Sequence, residues 1–277
     1  MLNTFEALPE SMFCNASERP IVRYRKGKTD CNELDYIIEE TPVAIAFNGV
    51  AYTVMMCTPN DLEQFAIGFS LSEGIIDHHR DIHDIDMIPT CDGININVTI
   101  ANRCVARLQQ KRRSLAGLTG CGICGEEKLE TVCRALDPVP SSVEFDLGFL
   151  DPVLQQLLRK QQLNQLTGSA HAAVYINQQG QVEAIFEDVG RHIALDKLVG
   201  CIHQRQLTGG AVLVTSRASF EMVQKAAAAG VEVLLAISSA TKMAVDLAEK
   251  LNLTLLGHCR NGRADAYAHP ERITGMI

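Results

Sequence analysis

Two cysteines at C-x-x-C spacing, Cys121 and Cys124, are the residues of this 277-residue sequence best suited to covalent chemistry. Glycines stand before, between and after them. Glycine adopts backbone conformations that other residues avoid and offers no side-chain cover, so this pattern predicts an exposed loop. The basic run before the loop and a helix predicted over residues 126–136 would both favour thiolate over thiol.

Three kinds of chemistry use this spacing. A structural zinc site needs four ligands, and the sequence has no second C-x-x-C pair, so zinc would have to recruit isolated cysteines. In a dithiol redox couple, one thiolate attacks and its neighbour resolves. In sulfur carriage, a nucleophilic thiolate takes up a sulfane sulfur as a persulfide and passes it on. The spacing does not distinguish the redox couple from the sulfur carrier.

The composition predicts a globular protein of two domains. With 47% hydrophobic residues, we expect a tail over residues 1–20, an α+β domain over 21–140 that ends with the C-x-x-C loop and its following helix, and an α/β domain over 141–277. A net charge of -8 argues against general nucleic-acid binding. The sequence shows no leader pattern and no run approaching ~18 apolar residues. We therefore expect a cytoplasmic protein without a membrane span or a disulfide framework.

Local patterns predict the elements of the first domain. Asn48-Gly49 between the apolar runs 42–47 and 50–56 is the strongest short hairpin signal in the sequence. Capping residues at 58–61 open a helix that ends at Gly74. Residues 94–100 alternate as a half-buried strand. The segment 76–92 is rich in Asp and His, and we interpret it as a solvated loop rather than a metal site; its histidines are His78, His79 and His83.

The second half predicts an α/β fold. A helix is expected over 152–166 and a second hairpin from the runs 172–176 and 182–186. Three further apolar runs, 211–215, 231–237 and 253–256, alternate with helical patterns. This alternation indicates βαβ units and a sheet that is covered on both faces.

Polar and basic residues follow these three apolar runs, at 215–217, 238–241 and 258–263. In such a sheet the ligand crevice lies beyond the carboxyl ends of the strands, so these segments predict a cradle for phosphate. Helix capping by Ser216, Ser219 and Thr241 explains the hydroxyls equally well. It does not explain the three arginines, Arg217, Arg260 and Arg263. Residues 187–192 and His171 stay open between a structural role and the lining of a cleft.

Several segments taken together resemble the FdhD/NarQ family of sulfur carriers that serve formate dehydrogenase. The combination is specific although each piece alone is not. The matching residues are Asn60-Asp61-Leu62-Glu63, Gly68-Phe69, Glu73-Gly74-Ile75-Ile76, Cys121-Gly122-Ile123-Cys124-Gly125, Thr167-Gly168, His171-Ala172-Ala173, Glu187-Asp188-Val189-Gly190-Arg191-His192, Asp196-Lys197, Ser216-Arg217 and Ser219-Phe220-Glu221-Met222-Val223-Gln224-Lys225.

This resemblance implies a cytidine-deaminase-like core in the second half, a mixed sheet with flanking helices, without deaminase activity. It implies that Cys121 carries a persulfide received from a cysteine desulfurase, and that Cys124 relays or releases the sulfur. The acceptor would be the molybdenum of bis(molybdopterin guanine dinucleotide), a client of the protein rather than a catalytic metal of its own, and sulfurated cofactor would then activate formate dehydrogenase. A homodimer is also implied.

The cradle would hold the guanine nucleotide ends of this client. The expected binding residues are Ser216, Arg217, Arg260, Asn261, Gly262, Arg263, Ala264 and Asp265. Two other classes of function stay open on the residues alone. One is a non-catalytic chaperone that shields the cofactor during its insertion, and the other is a zinc-stabilised scaffold.

Overall fold

The computed structural model describes residues 15–115 and 135–276. In this part of the chain, fourteen strands form four sheets and seven α-helices flank them. The strands are β1 Ala16–Arg25, β2 Lys28–Ile38, β3 Thr41–Phe47, β4 Val50–Cys57, β5 Ile82–Thr90, β6 Gly93–Ile100, β7 Phe145–Asp146, β8 His171–Ile176, β9 Val182–Asp188, β10 Ala211–Val214, β11 Val233–Ala236, β12 Thr254–Gly257, β13 Asp265–Ala268 and β14 Ile273–Thr274. The helices are α1 Leu62–Ser72, α2 Asn102–Leu115, α3 Leu150–Lys160, α4 Gln162–Thr167, α5 Arg191–Arg205, α6 Phe220–Ala228 and α7 Lys242–Lys250, with single 3-10 turns at His79–Asp81, Leu147–Phe149 and Pro270–Arg272.

A six-stranded mixed sheet forms the centre of the second half, in the order β13-β12-β11-β10-β8-β9. Strands β10, β11 and β12 are parallel to one another. Strand β8 is antiparallel to both β10 and β9, and β13 is antiparallel to β12. The helices α6 and α7 lie between the parallel strands in sequence, which confirms the predicted alternation of strands and helices.

Both faces of this sheet are buried, as the continuous apolar runs predicted. Along β10, Val212 and Val214 belong to one hydrophobic cluster, while Ala211 and Leu213 belong to another on the opposite face. Successive side chains of a strand point to opposite faces, so each strand contributes to two cores. Helices α1, α5, α6 and α7 contribute to the first core and α3 to the second.

A four-stranded sheet, in the order β4-β3-β6-β5, packs against α1. Its first hairpin is confirmed, and the turn places Asn48 at φ 49° and Gly49 at φ 76°, as a tight two-residue hairpin turn requires. The predicted helix after residue 61 is also confirmed. The predicted side-chain cap is wrong, because Asp61 is in the left-handed region at φ 50° and makes no capping hydrogen bond.

Helices α1 and α5 pack in backbone contact. A Cβ atom built on Gly68 would come 1.8 Å from the Asp196 carbonyl oxygen, and one on Gly200 would come 2.0 Å from the Gln64 carbonyl oxygen. Only glycine therefore permits this helix separation. The first core runs without a break from β3 through α1 to α5 and the six-stranded sheet, and the boundary near residue 140 stays a prediction.

Other elements differ from the sequence interpretation. Strands β1 and β2 form a hairpin that the sequence analysis did not predict, and β1 begins at Ala16, inside the expected tail. The helix expected over 152–166 is divided at Gln161, whose ψ of 70° is not helical. The helix expected over 126–136 falls almost entirely outside the described residues. In the described part of the chain no helix is long and apolar enough to cross a membrane.

The fold class is thus confirmed as α/β with mixed sheets and flanking helices. The cytidine-deaminase-like identity of the core stays a prediction.

Candidate functional site at the carboxyl edge of the sheet

The C-x-x-C segment with Cys121 and Cys124 lies outside the described residues. The site residues that the structure describes are therefore those of the predicted phosphate cradle. The basic run before the loop consists of Arg103, Arg107, Lys111, Arg112 and Arg113. The side chains of its first two members are described, and both face acidic partners. Arg107 pairs with Asp77 at 2.5 Å, and Arg103 donates to the buried Asp81. These two arginines therefore hold α2 against the segment 77–81.

One edge of the six-stranded sheet collects the predicted cradle segments. Strands β9, β10, β11 and β12 end at this edge, and their antiparallel neighbours β8 and β13 begin there. We call it the carboxyl edge. Backbone hydrogen bonds tie its loops together: Ala218 donates to Ser239 at 3.1 Å, and His258 donates to Ser238 at 2.9 Å. The structure thus brings the three strand-end segments side by side, as the sequence predicted.

The loop over residues 260–265 connects β12 to β13 as a tight turn. The Arg260 amide donates to the Arg263 carbonyl at 3.0 Å, and the Arg263 amide donates back at 3.2 Å. The turn requires positive φ at Asn261 (55°) and Gly262 (66°), which are the two residue types that adopt it most readily. Ala264 packs against the second core, and this contact anchors the loop while the side chains of residues 260–263 are exposed.

The cations of the cradle differ in their partners. The Arg263 Nε donates to Asp265 at 2.9 Å, and this hydrogen bond holds the pKa of the Asp265 carboxyl below its usual range. Arg217 and Arg260 are exposed, and neither forms a salt bridge within the described residues. The carboxyl edge therefore presents two arginines without a described acidic partner and a third that could exchange its carboxylate for another anion.

The hydroxyls of the cradle have separate roles. Thr241 caps α7, since its Oγ1 accepts from the Ala244 amide at 3.3 Å, as the capping interpretation predicted. Ser219 occupies the N-cap position of α6 but makes no capping hydrogen bond. Ser216 is buried, and its hydroxyl donates to the Arg217 carbonyl at 3.0 Å. Capping thus accounts for Thr241 and not for Ser216.

The structure also places at this edge the ionisable residues whose role the sequence did not decide. His171 begins β8 opposite Asp188, and α5 starts at the same edge with Arg191 and His192. The His192 Nε2 and the Glu221 Oε2 are 2.6 Å apart. This contact lowers the pKa of Glu221, while burial and the nearby Arg191 and His192 lower that of His171.

The edge therefore carries a second cluster of ionisable groups besides the three arginines. Sequence reasoning did not join the two sets, because residues 187–192 lie far from 260–265 along the chain. One signal in the sequence could have joined them. The second strand of the predicted hairpin 172–186 ends at the edge where β10 also ends, and residues 187–192 follow that strand directly.

The Asp- and His-rich segment 76–92 differs from the solvated loop that the sequence predicted. Among the described residues no group of three or more His, Cys, Asp or Glu side chains is placed to hold a metal ion. His83 lies on β5 and is exposed, while His78 and His79 flank a 3-10 turn. Much of the segment expected to be a loop is in fact strand β5.

The comparison with protein families decides the identity of the chain. The model of the FdhD/NarQ family matches residues 38–274, which include both the carboxyl edge and the C-x-x-C loop. The chain belongs to the FdhD/NarQ family. It is similar in structure to a protein from Desulfotalea psychrophila that is provisionally described as a formate dehydrogenase accessory protein. The TM-score is 0.74 at 25% identity, and the match covers 94% of this chain and 100% of that chain.

In this FdhD/NarQ chain, one set of the motif residues forms a buried ion pair rather than an accessible site. The Lys197 Nζ donates to the Asp188 Oδ2 at 2.7 Å, and both side chains are fully buried. Lys197 also donates to the Thr58 carbonyl and the Asn60 side chain. Asp188 accepts from the Thr58 amide at 3.0 Å and from the Gly190 amide at 2.8 Å. The pair thus fastens the start of α5 to the segment before α1.

A second buried pair lies one residue earlier on α5. The Lys225 Nζ donates to both oxygens of Asp196 at 2.9 Å and to the Ser72 hydroxyl at 3.0 Å. Adjacent residues on a helix point in different directions, so Asp196 and Lys197 reach separate partners. In the FdhD/NarQ chain these two pairs hold α1, α5 and α6 in place, and Arg191 and His192 are left to face the carboxyl edge.

Proposed function

We propose that this protein is a sulfur carrier for the maturation of formate dehydrogenase. It accepts sulfur on Cys121 from a cysteine desulfurase and delivers it to the molybdenum of bis(molybdopterin guanine dinucleotide), which it binds as a substrate. Family membership over residues 38–274 and the likeness to the Desulfotalea protein support the role in formate dehydrogenase maturation. The sulfur step rests on the spacing and glycine setting of the two cysteines.

The atoms and electrons of the proposed sulfur transfer balance with the two thiols, Cys121 and Cys124, and a cellular dithiol reductant. The Cys121 thiolate attacks the outer sulfur of the desulfurase persulfide, and the desulfurase cysteine leaves as its thiolate. No net oxidation occurs, and Cys121 becomes a persulfide. The Cys124 thiolate then attacks the inner sulfur, the S–S bond breaks, and the outer sulfur leaves as sulfide for the metal. The Cys121–Cys124 disulfide that forms takes up the oxidation, and the reductant reopens it.

The proposed substrate is supported mainly by the exposed arginines of the carboxyl edge, which stand out in a chain of net charge -8. Arg217 and Arg260 follow strands two positions apart in the sheet, so they leave it about 10 Å apart. Exposed guanidinium groups bind phosphate through paired hydrogen bonds. The edge is therefore suited to a long ligand that carries several phosphates, as a guanine dinucleotide does.

The test of the sulfur step is intact-protein mass spectrometry after incubation with a cysteine desulfurase and cysteine. We expect the wild type to gain the mass of one sulfur atom, reversibly on reduction, and Cys121→Ala to gain none. Cys91→Ala is the matched control, because Cys91 is an exposed single cysteine on the turn after β5. A wild type that gains no sulfur, or a Cys121→Ala protein that still gains it, would contradict the proposal.

A non-catalytic cofactor chaperone is the second candidate, because binding at the carboxyl edge does not require the thiols. It predicts that Cys121→Ala supports formate dehydrogenase activity in cells while the double change Arg260→Glu with Arg263→Glu does not. The sulfur carrier predicts that both variants fail. Binding of GDP, measured by calorimetry, separates the causes of failure, since only the arginine variant should lose it.

The proposed homodimer has its own measurement. Light scattering coupled to size-exclusion chromatography should give twice the 30.3 kDa chain mass.

A further inference from the structure

Strands β1 and β2 form a two-stranded ribbon, which we call the arm. The two strands make a sheet of their own. At the base of the arm, Ala16 and Ile38 pack against Leu163 and Leu166 of α4. With ten residues in β1, the arm is about 33 Å long. A two-stranded ribbon on its own is marginally stable in water, so the outer part of the arm needs a surface to pack on.

The two faces of the arm differ in character. One face holds charged side chains that pair with one another, since Arg23 lies 2.6 Å from Glu33 and 3.0 Å from Asp35. The register and the alternation of side chains place mainly apolar residues on the other face, with Glu18 as a charged exception. We call it the arm face, and its residues beyond the base are Pro20, Val22, Tyr24, Leu34 and Tyr36.

No element in the described part of the chain covers the outer arm face. Val22 is 50% exposed, Leu34 is 59% exposed and Tyr24 is 79% exposed. A contiguous apolar surface of this kind, beside charged residues, is typical of an interaction site. The arm is therefore built to lie with one face on a partner and with its charged face in solvent.

The four-stranded sheet has a second uncovered face. Alternate residues of β3 point into the first core, so the residues between them point away from it. On that side, Val54 of β4 and Ile88 of β5 are 63% and 59% exposed. We call this surface the outer sheet face, and its residues in register across the four strands are Val54, Ala44, Asn95, Ile88, Asp86 and Asp84.

The two faces belong to segments of opposite charge. Residues 19–28, which form most of β1 and the turn that follows it, contain five Lys or Arg and no Asp or Glu. Residues 81–92, which include β5, contain four Asp and no Lys or Arg. Two chains of net charge -8 repel each other, so an interface between copies is favoured where such segments meet.

The arm face and the outer sheet face do not meet within one chain, because both are exposed. A second copy supplies both partners at once, since twofold symmetry places each arm on the sheet of the other protomer. The arm is about 10 Å wide, so each arm covers roughly 300 Å² of sheet. The two contacts together then bury roughly 1,200 Å², which is the lower limit of a stable specific interface.

We propose that the homodimer forms by exchange of arms, with the arm face of each protomer lying on the outer sheet face of the other. This inference rests on the homodimer proposed above and is independent of the sulfur chemistry. The exchange removes Tyr24 and Leu34 of one protomer and Val54 and Ile88 of the other from water. The basic turn at the end of the arm lies near the aspartates of β5.

Matched variants test the two faces by sedimentation equilibrium over a dilution series. Leu34→Asp changes the arm face and Val54→Asp changes the outer sheet face. Each should raise the Kd of the dimer about 100-fold, about tenfold for each of the two symmetric contacts. Ile37→Asp is the control and should leave the Kd unchanged, because Ile37 is also on β2 and 48% exposed but lies on the charged face. Circular dichroism verifies that each variant is folded.

Photo-crosslinking identifies the contact directly. A benzoylphenylalanine is introduced in place of Tyr24, and isotopically light and heavy protein are mixed at low concentration before the dimer re-forms. We expect mixed-isotope cross-links to peptides of β4 and β5. A monomeric wild type, an unchanged Kd in Leu34→Asp, or cross-links that stay within one chain or join the two arms would overturn the arm exchange. Sulfur uptake by Cys121 is measured separately, so failure of the sulfur carrier and failure of the arm exchange give different results.

Discussion

Removing the charge of Lys197 should be among the most destabilising single changes in the described core. Lys197→Met keeps the length of the side chain but leaves Asp188 as a buried carboxylate without its cation. Asp188 is fully buried and its remaining partners are the Thr58 and Gly190 amides. Breaking a buried pair in this way costs about 3–5 kcal/mol. For a chain of this size, that is a fall in Tm of roughly 6–10 °C.

The assay is urea unfolding followed by circular dichroism at 222 nm, because the sequence contains no tryptophan. The matched control is Lys242→Met. Lys242 also pairs with an aspartate, Asp246 at 2.6 Å, but its side chain is 87% exposed. A solvent-exposed pair of this kind contributes little to stability, so Lys242→Met should unfold close to the wild-type midpoint. The double change Lys197→Met with Asp188→Asn should recover part of the loss, since asparagine has no charge to bury and can still accept a backbone hydrogen bond.

The loss of stability in Lys197→Met should also depend on pH, in a direction that follows from the pKa of Asp188. Burial raises the pKa of Asp188, and Lys197 opposes this effect most strongly. In Lys197→Met that opposition is gone, so the folded state binds a proton at a pH where the unfolded chain does not. Stability of the variant therefore rises as the pH falls towards the folded pKa. We expect the deficit to be smaller at pH 5.5 than at pH 8. A deficit below 1 kcal/mol at pH 8, or one that grows on acidification, would refute this reasoning.

Three further outcomes follow from the packing. Gly200→Ala should destabilise the protein by about 3 kcal/mol or prevent folding, because its methyl group would meet the Gln64 carbonyl oxygen; thermal unfolding measures this. Brief alkylation of the native protein should modify the exposed Cys91 and spare Cys259, because burial raises the pKa of the Cys259 thiol to about 12. Peptide mass spectrometry counts the adducts, and rapid modification of Cys259 would contradict its burial. Thr241→Ala should cost about 1 kcal/mol in urea unfolding through the loss of the α7 cap, and an unchanged midpoint would show that the cap contributes nothing.

The elements predicted best from the sequence are the strands in which every side chain is buried and the hairpin with a two-residue turn. The apolar runs that became β10, β11 and β12 are buried on both faces, so no alternation with polar residues obscured them. The hairpin at Asn48-Gly49 follows from local turn chemistry alone. The β1–β2 hairpin was missed because most side chains of β1 are exposed, so its alternation of apolar and polar residues is weak.

The candidate site was predicted in part. The cradle at the strand ends followed from a general rule of parallel sheets, and the structure places its segments side by side. The ion-pair partners of Asp188 and Asp196 could not be read from the sequence, because burial and distance in space determine them. His171 and His192 belong to the same edge for the same reason, and only the register of β8 with β9 and β10 shows it.

The seam between α1 and α5 constrains how the halves of such a protein can be exchanged. Two glycines allow the helix backbones to touch there. Lys197 reaches from α5 to the segment before α1, and Lys225 reaches from α6 to both helices. A chimera that joins the first half of one family member to the second half of another must match all of these positions at once. Substitutions on the two sides of the α1–α5 contact are therefore expected to be coupled.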